Sequence, residues 1–301
     1  MSTNKQVILI TGASTGFGRL AAQELSKAGH TVYAGQYSHD GNTAPYEQEI
    51  AQFSKTHSAD LRPIPLNLLS EDSVINAVQT ILSQTSGVLN TIIHNAGHMG
   101  FGPAEAFTCS QFSSMYEINV IGCQRLNQAI LPHMRSKKSG HIIWISSSSV
   151  YGAKSPMLAP YFAAKAAMDS LAQSYSKELH AWGIETTIVS PGVFTKGTNH
   201  FSDAAKPGVE SVLREYEEGP TKGLAEQTMT GTAGAVPDDA DPIVVAEELV
   251  KLAALPRGEK PFRVFADPAQ DNCDVAAPMV DRFGELFYKR MGLEKFLKVW
   301  L

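Results

Sequence analysis

The sequence predicts an α/β fold: a doubly wound, parallel β-sheet of about seven strands with helices on both faces. Short apolar runs alternate along the chain with longer segments of helical period, the pattern of a parallel sheet covered on both sides. The first apolar run passes directly into a glycine-rich turn and an amphipathic helix. No internal repeat and no Pro-, Gly- or Ser-rich linker divides the 301 residues, a length that one α/β domain can reach.

Taken in chain order, strands are expected at Val7–Ile10, Thr31–Ala34, Arg62–Leu66, Thr91–Ile93, His141–Ile145, Glu185–Val189 and Phe262–Phe265. Each is a short run of mostly apolar residues, as buried strands require. Helices are expected around Arg19–Ala28, Pro45–Thr56, Ser70–Gln84, Ser110–Lys137, Pro160–Trp182 and Ile243–Ala254. Residues 195–241 break the alternation and read as loop-rich, with a short charged helix near Glu210–Glu218 and a Gly/Thr/Ala stretch at Thr228–Ala235. The tail, 268–301, carries Phe283, Leu286, Phe287, Met291, Leu293, Phe296 and Leu297 at helical spacing.

Composition narrows the function class. A net charge of −5 without a basic block argues against a nucleic-acid partner. Cys109, Cys123 and Cys273 are odd in number and far apart, so neither a disulfide framework nor a metal cluster is expected. No stretch is long and apolar enough for a membrane span or a signal peptide, and the expected location is cytoplasmic.

Two constellations carry chemistry. Thr11-Gly12-Ala13-Ser14-Thr15-Gly16-Phe17-Gly18 joins the first strand to a helix. Glycines there let the backbone approach a pyrophosphate, while the helix N-terminus favours its charge. Three residues, not one, separate the first two glycines, unlike the commonest dinucleotide fingerprint. The second constellation is Tyr161-Phe162-Ala163-Ala164-Lys165, shortly after the cluster Ser146 to Ser149. Tyr161 and Lys165 lie one helical turn apart on one face. A phenol titrates near 10 and exchanges protons poorly at neutral pH unless its anion is stabilised; an ammonium one turn away is expected to do that. A serine hydroxyl opposite could hold a substrate oxygen. Taken alone, this spacing is a weak signal.

With His94-Asn95-Ala96-Gly97, Asn119-Val120-Ile121-Gly122 and Pro191-Gly192 in the same order, the chain resembles the short-chain dehydrogenases/reductases, in their single-domain branch, from about Lys5 to Asp267. The resemblance implies a Rossmann-like domain over 1–267, with 195–241 closing over substrate and 268–301 as a helical extension packed on the same domain. It implies hydride transfer between a nicotinamide and a carbonyl or carbinol carbon. Tyr161 would be the acid or base, Lys165 would lower its pKa and hold the nicotinamide ribose, and Asn119 would support the relay. Counting forward along the strand assigns the catalytic serine to Ser147; counting back thirteen positions from Tyr161 gives Ser148. Strand ends vary less than loops in length, which favours Ser147 with Ser148 as runner-up.

The same resemblance places Gly12, Ser14, Thr15, Gly16, Phe17 and Gly18 at the pyrophosphate, and Asn67 and Leu68 by the adenine. Asn95, Ala96 and Gly97 would border the cofactor, and Pro191, Gly192 and Val193 the nicotinamide. The family's usual Thr appears one position early, as Thr195. At the end of the second strand, Gln36 stands where an acid would select NAD, and Tyr37 where NADP enzymes often carry Arg. Neutral hydrogen bonds from Ser14, Tyr37, Ser38 and His39 favour NADP over NAD. No metal is implied.

Phe194, Phe201, Val209, Val212, Leu213, Met157 and Leu158 offer apolar surface, and no Arg cluster awaits a phosphate. A hydrophobic ketone, aldehyde or secondary alcohol therefore fits better than a sugar phosphate. A homodimer or homotetramer paired through helices 110–137 and 160–182 is expected by analogy with the family. Two alternatives stay open. One is a redox-neutral epimerase or dehydratase, for which a tail of about 34 residues is short of the usual second domain. The other is a non-catalytic dinucleotide sensor.

Overall fold

The computed structural model describes residues 5–37 and 43–296; the predicted contacts Ser38 and His39, and Leu297 of the tail, lie outside the described residues. Seven strands form one sheet in the order β3-β2-β1-β4-β5-β6-β7. They are β1 (Val7–Ile10), β2 (Thr31–Gln36), β3 (Asp60–Pro65), β4 (Thr91–His94), β5 (Gly140–Ile145), β6 (Ile184–Pro191) and β7 (Arg263–Ala266). Every neighbouring pair is parallel. Pro63 and Pro65 both sit on β3, which pairs only with β2, so the missing donors fall on an edge strand.

Side chains of the central strands alternate between two cores, as the two-residue strand period demands. Ile8, Ile10, Val32, Ala34, Ile93, Ile143, Ile145 and Val189 point to one face. There they meet α1 (Gly16–Lys27), α2 (Ala44–His57) and α9 (Ile243–Ala254) through Ala21, Leu25, Ile50, Val245 and Leu249. Leu9, Tyr33, Ile92, Ile142, Trp144 and Ile188 point to the other face. That side is covered by α3 (Glu71–Gln84), α5 (Gly122–Lys137) and α6 (Ala159–His180). Both faces are apolar, which is why the strands read as unbroken apolar runs.

The chain winds from β1 outward to β3, then crosses back to lay β4 on the free side of β1, with Ile10 beside Ile93. At that reversal the turns after β1 and β4 diverge and leave a crevice beyond the strand ends.

Two helical expectations change. The segment expected as one helix, Ser110–Lys137, is α4 (Cys109–Tyr116) and α5 separated by a π-helical turn at Glu117–Ile121. The Gly/Thr/Ala stretch read as loop is part of α8 (Leu224–Gly234), which follows α7 (Glu210–Glu218). The tail forms α10 (Cys273–Arg290). It is pinned to the sheet by Arg263, whose guanidinium donates to Asp281 at 2.6 and 3.1 Å and to buried Asp169 at 3.1 and 3.2 Å. No described helix is long and apolar enough to cross a membrane.

His94 lies fully inside, its Nε2 2.9 Å from the Asn127 amide oxygen. Burial pushes its pKa down to about 4, which the Asn127 bond only partly offsets. The unfolded chain therefore binds a proton that the fold refuses between pH 6.5 and about 4, and stability drops as pH falls through that window. Urea unfolding of wild type and His94→Gln should show the wild type losing its advantage on acidification, by up to about 3 kcal/mol between pH 7 and pH 4.

Candidate active site

The turn after β1 is locked to the turn after β4 by a reciprocal set of hydrogen bonds. Thr11 Oγ1 accepts from the backbone N–H groups of Asn95 and Ala96 at 3.0 and 2.9 Å. The Asn95 amide donates to the carbonyls of Thr11 and Gly12 at 2.9 and 3.0 Å. Gly12 and Gly16 adopt φ of +62° and +53°, values open to glycine at little cost. Tyr46 on α2 donates its hydroxyl to the Ala13 carbonyl and fixes the turn from the other side. The first turn of α1 has neither an acidic side chain nor a side-chain cap, so its N–H groups face outward unclaimed by side chains. That geometry fits an anion such as a pyrophosphate.

A cavity of about 870 Å³ opens over these turns. Ser14, Thr15, Gly16 and Phe17 form one wall with Gly12, while Tyr37, Asn67 and Leu68 form another beyond β2 and β3. Asn95, Ala96 and Gly97 make the floor, and Pro191, Gly192 and Val193 flank it beyond β6.

Three predicted contacts do not reach this cavity. Gly18 is a packing position: a Cβ there would lie 2.3 Å from the Asn95 amide nitrogen and 2.4 Å from the Gly12 carbonyl oxygen. Gln36 is buried at the end of β2, in strand register with Val32 and Ala34, and its amide nitrogen has no hydrogen-bond partner. Thr195 is displaced because the chain turns again at Gly197, where φ is +73°, and brings Thr198 to the wall beside Gly16.

At the far end of the cavity α6 presents Tyr161 and Lys165, both buried. The phenol ring packs in a cluster with Met99, Leu158 and the partly buried Phe162 and Phe201. Burial pushes Tyr161 up to about 12, and the Ser147 side chain pulls in the opposite direction. Ser147 also sits 2.8 Å from the Ser149 hydroxyl and accepts from the Ser149 N–H at 3.2 Å. Ser147 and Ser148 both line the cavity, and of the two it is Ser147 that influences the phenol. Next to it, Ser146 donates to the buried Asp169 at 2.9 Å, which ties the end of β5 to the Arg263 ion pairs.

Lys165 donates to the Ile145 carbonyl at 2.7 Å, and its nitrogen stands 5.9 Å from the Tyr161 ring centre. Burial lowers its pKa to about 8. Desolvation outweighs every other influence on Tyr161.

Asn119 occupies the π-helical turn, fully buried one layer behind the cavity. Its amide donates to the carbonyls of His98 and Met115 at 3.0 and 2.9 Å, and its oxygen accepts from the His98 N–H at 3.3 Å. The wide turn makes room for this side chain; a π-bulge at a functional position is a common device. Gly97 is squeezed between two of these groups, since a Cβ there would stand 2.9 Å from the Asn119 oxygen and 3.6 Å from the Lys165 nitrogen.

His200 went unnoticed in the sequence. Its ring lies edge-on to Tyr161, 5.2 Å between centres, and burial depresses it to about 4, so it is a neutral imidazole at pH 7. Thr228, Gly231 and Thr232 of α8 also line the cavity. Nothing local marks these residues; only the fold of 195–241 brings them in. Of the expected apolar wall, Phe194, Phe201 and Leu158 line the cavity, whereas Met157, Val209, Val212 and Leu213 do not.

The short chain dehydrogenase family model matches residues 6–207. The chain belongs to that family. Among curated relatives, a 3-ketodihydrosphingosine reductase of Bacteroides thetaiotaomicron is 35% identical over 64% of this chain. A mitochondrial D-beta-hydroxybutyrate dehydrogenase of Mus musculus is 30% identical over 65% of it. The matches span 65% and 57% of those relatives' own lengths. Among solved structures, a short-chain dehydrogenase from Streptomyces avermitilis superposes with a TM-score of 0.72 at 24% identity, covering 97% of this chain and 98% of that one. An alcohol dehydrogenase from the archaeon Thermococcus sibiricus, complexed with 5-hydroxy-NADP, reaches 0.67 at 19% identity, covering 87% of this chain and 96% of that one. In this short-chain dehydrogenase, Gly18→Ala should separate the two locked turns. A loss of roughly 2 kcal/mol or more in thermal or urea unfolding is expected.

Proposed function

We propose that this short-chain dehydrogenase is an NADP-preferring oxidoreductase acting on a hydrophobic ketone, aldehyde or secondary alcohol, with Tyr161 as general acid in reduction and general base in oxidation. The observation that carries the reading is a single cavity that brings Tyr161, Ser147 and Lys165 together with the glycine turn. The dinucleotide, when bound, supplies or accepts the hydride. Gly12 and the first turn of α1 would hold its pyrophosphate, Pro191 and Gly192 its nicotinamide end, and Lys165 its nicotinamide ribose. Ser147 would orient the substrate oxygen beside the phenol, and Asn119 would position Gly97 and His98 from behind. A phenol at about 12 in reduction gives up its proton to an oxygen that becomes more basic as hydride arrives.

Among the described residues lining the cavity, Lys165 is the one lysine or arginine, whereas Asp203, Asp267 and Asp271 are acidic. That balance disfavours a phosphorylated substrate, and Met99, Leu158, Phe162 and Phe201 favour an apolar one. The names of the two curated relatives, one a reductase of a 3-keto compound and one a dehydrogenase of a hydroxy compound, support the reaction class. For the cofactor, Tyr37 at the rim is neutral, and among the described residues beside it in the cavity wall, Asn67 and Leu68, no acid stands to repel a 2′-phosphate; four solved neighbours carry NADP or 5-hydroxy-NADP.

Following absorbance with NADPH or NADH across a carbonyl panel tests the reading; redox-neutral turnover, or binding without turnover, would overturn it. Tyr161→Phe should lower kcat by about 10²- to 10⁴-fold with NADPH affinity retained. Ser147→Ala should reduce kcat more than Ser148→Ala, and the opposite ranking would reassign the serine. Tyr37→Asp should weaken NADPH roughly tenfold or more, with NADH unaffected or improved, in a fluorescence titration.

A further inference from the structure

The outer face of α10 is apolar and open. Val275, Met279, Val280, Phe283, Leu286, Phe287 and Met291 are all exposed, Phe283 to 63%. At about 100° per residue they form one continuous band along the helix. The helix cannot simply roll this band inward. Cys273 and Ala277 are buried in its first two turns, Asp281 is held by Arg263 at 2.6 Å, and Lys177 lies 5.4 Å from the centre of the Tyr288 ring.

We infer that this face is a two-fold interface with a second copy of the same chain, two α10 helices packing antiparallel about Phe283. A two-fold axis brings residue i of one copy opposite residue j of the other whenever i and j are equidistant from the axis. Reflected about position 283, the apolar set maps onto itself: Val275 falls on Met291, Met279 on Phe287 and Val280 on Leu286. An evenly spaced ladder has this symmetry by construction; Val280 and Leu286 lie off the ladder and keep it.

Charge agrees with the same occupant. The helix carries Asp274 in its first turn and Lys289 and Arg290 in its last, so an antiparallel mate runs the two charge gradients and the two helix dipoles in opposite directions. Asp274, Asp281 and Glu285 balance Arg282, Lys289 and Arg290, so the helix lacks the cationic excess that binds an anionic lipid surface. At typical side-chain areas the exposed band amounts to roughly 700 Å² per copy, close to the ~800 Å² per partner of a standard interface. It also exceeds the apolar patch of about 300–600 Å² that an ordinary monomer leaves uncovered.

Sedimentation equilibrium of the full chain should give a mass of two chains or a multiple of two. Phe283→Glu with Phe287→Glu should halve it while the melting temperature stays within a few degrees. As a second measure, Phe283→Cys in a Cys109→Ser background places one thiol at the axis, where diamide should join two chains. Glu226→Cys in the same background, also at an exposed position, should not cross-link. A monomeric wild type, an unchanged mass in the double variant, no preference for position 283 in cross-linking, or co-sedimentation of wild type with phosphatidylcholine vesicles would each overturn the inference.

Discussion

The site depends on one interlock, the four hydrogen bonds that join Thr11 and Gly12 after β1 to Asn95 and Ala96 after β4. Adjacent parallel strands whose chains leave in opposite directions would otherwise splay apart at their ends. Here the Thr11 hydroxyl and the Asn95 amide bridge the gap, and the backbone comes so close that a Cβ on Gly12 would meet the Ala96 Cα at 2.8 Å. The same contacts open the helix α1 N-terminus on one side and place Gly97 against Lys165 and Asn119 on the other. Cofactor cradle and proton-transfer residues thus share a single rigid origin.

Around that origin the electrostatics are set mostly by the removal of water. Tyr161, Lys165 and His200 are all shifted toward their neutral forms by burial, which leaves few fixed charges near the phenol. A second network, Arg263 with Asp169 and Asp281, anchors β7, α6 and α10 together, with Arg263 and Asp169 nearly free of solvent. Removing one member would strand the others unpaired in the interior.

Much of this was legible in the residues. The β1 run, its glycine turn and the pair Tyr161 and Lys165 are local features, each needing only a strand period, a helix period or a positive φ. The seven strands lie where apolar runs put them, with ends moved by a residue or two. What the sequence hid depends on distant partners. Asn119 widens a helix because the backbone of His98, twenty-one positions away, offers it bonds. Residues 224–234 are helical despite glycines and threonines of low propensity. Thr198, rather than Thr195, reaches the cavity because a glycine further along reverses the chain. Gln36 turns inward because strand register, not chemical type, decides its direction. His200 has no neighbours in sequence that announce it.

The π-helical turn between α4 and α5 also constrains how this chain can vary in length. A π-helical turn is one residue wider than an α-turn, so deleting one residue there would restore an ordinary helix and leave the flanks near their present phase. Leu126, Ile130 and Met134 would keep their places in the sheet packing, while Asn119 would lose the room that its bonds to His98 and Met115 need. A shortening at this joint would spare the core and fall on the site alone.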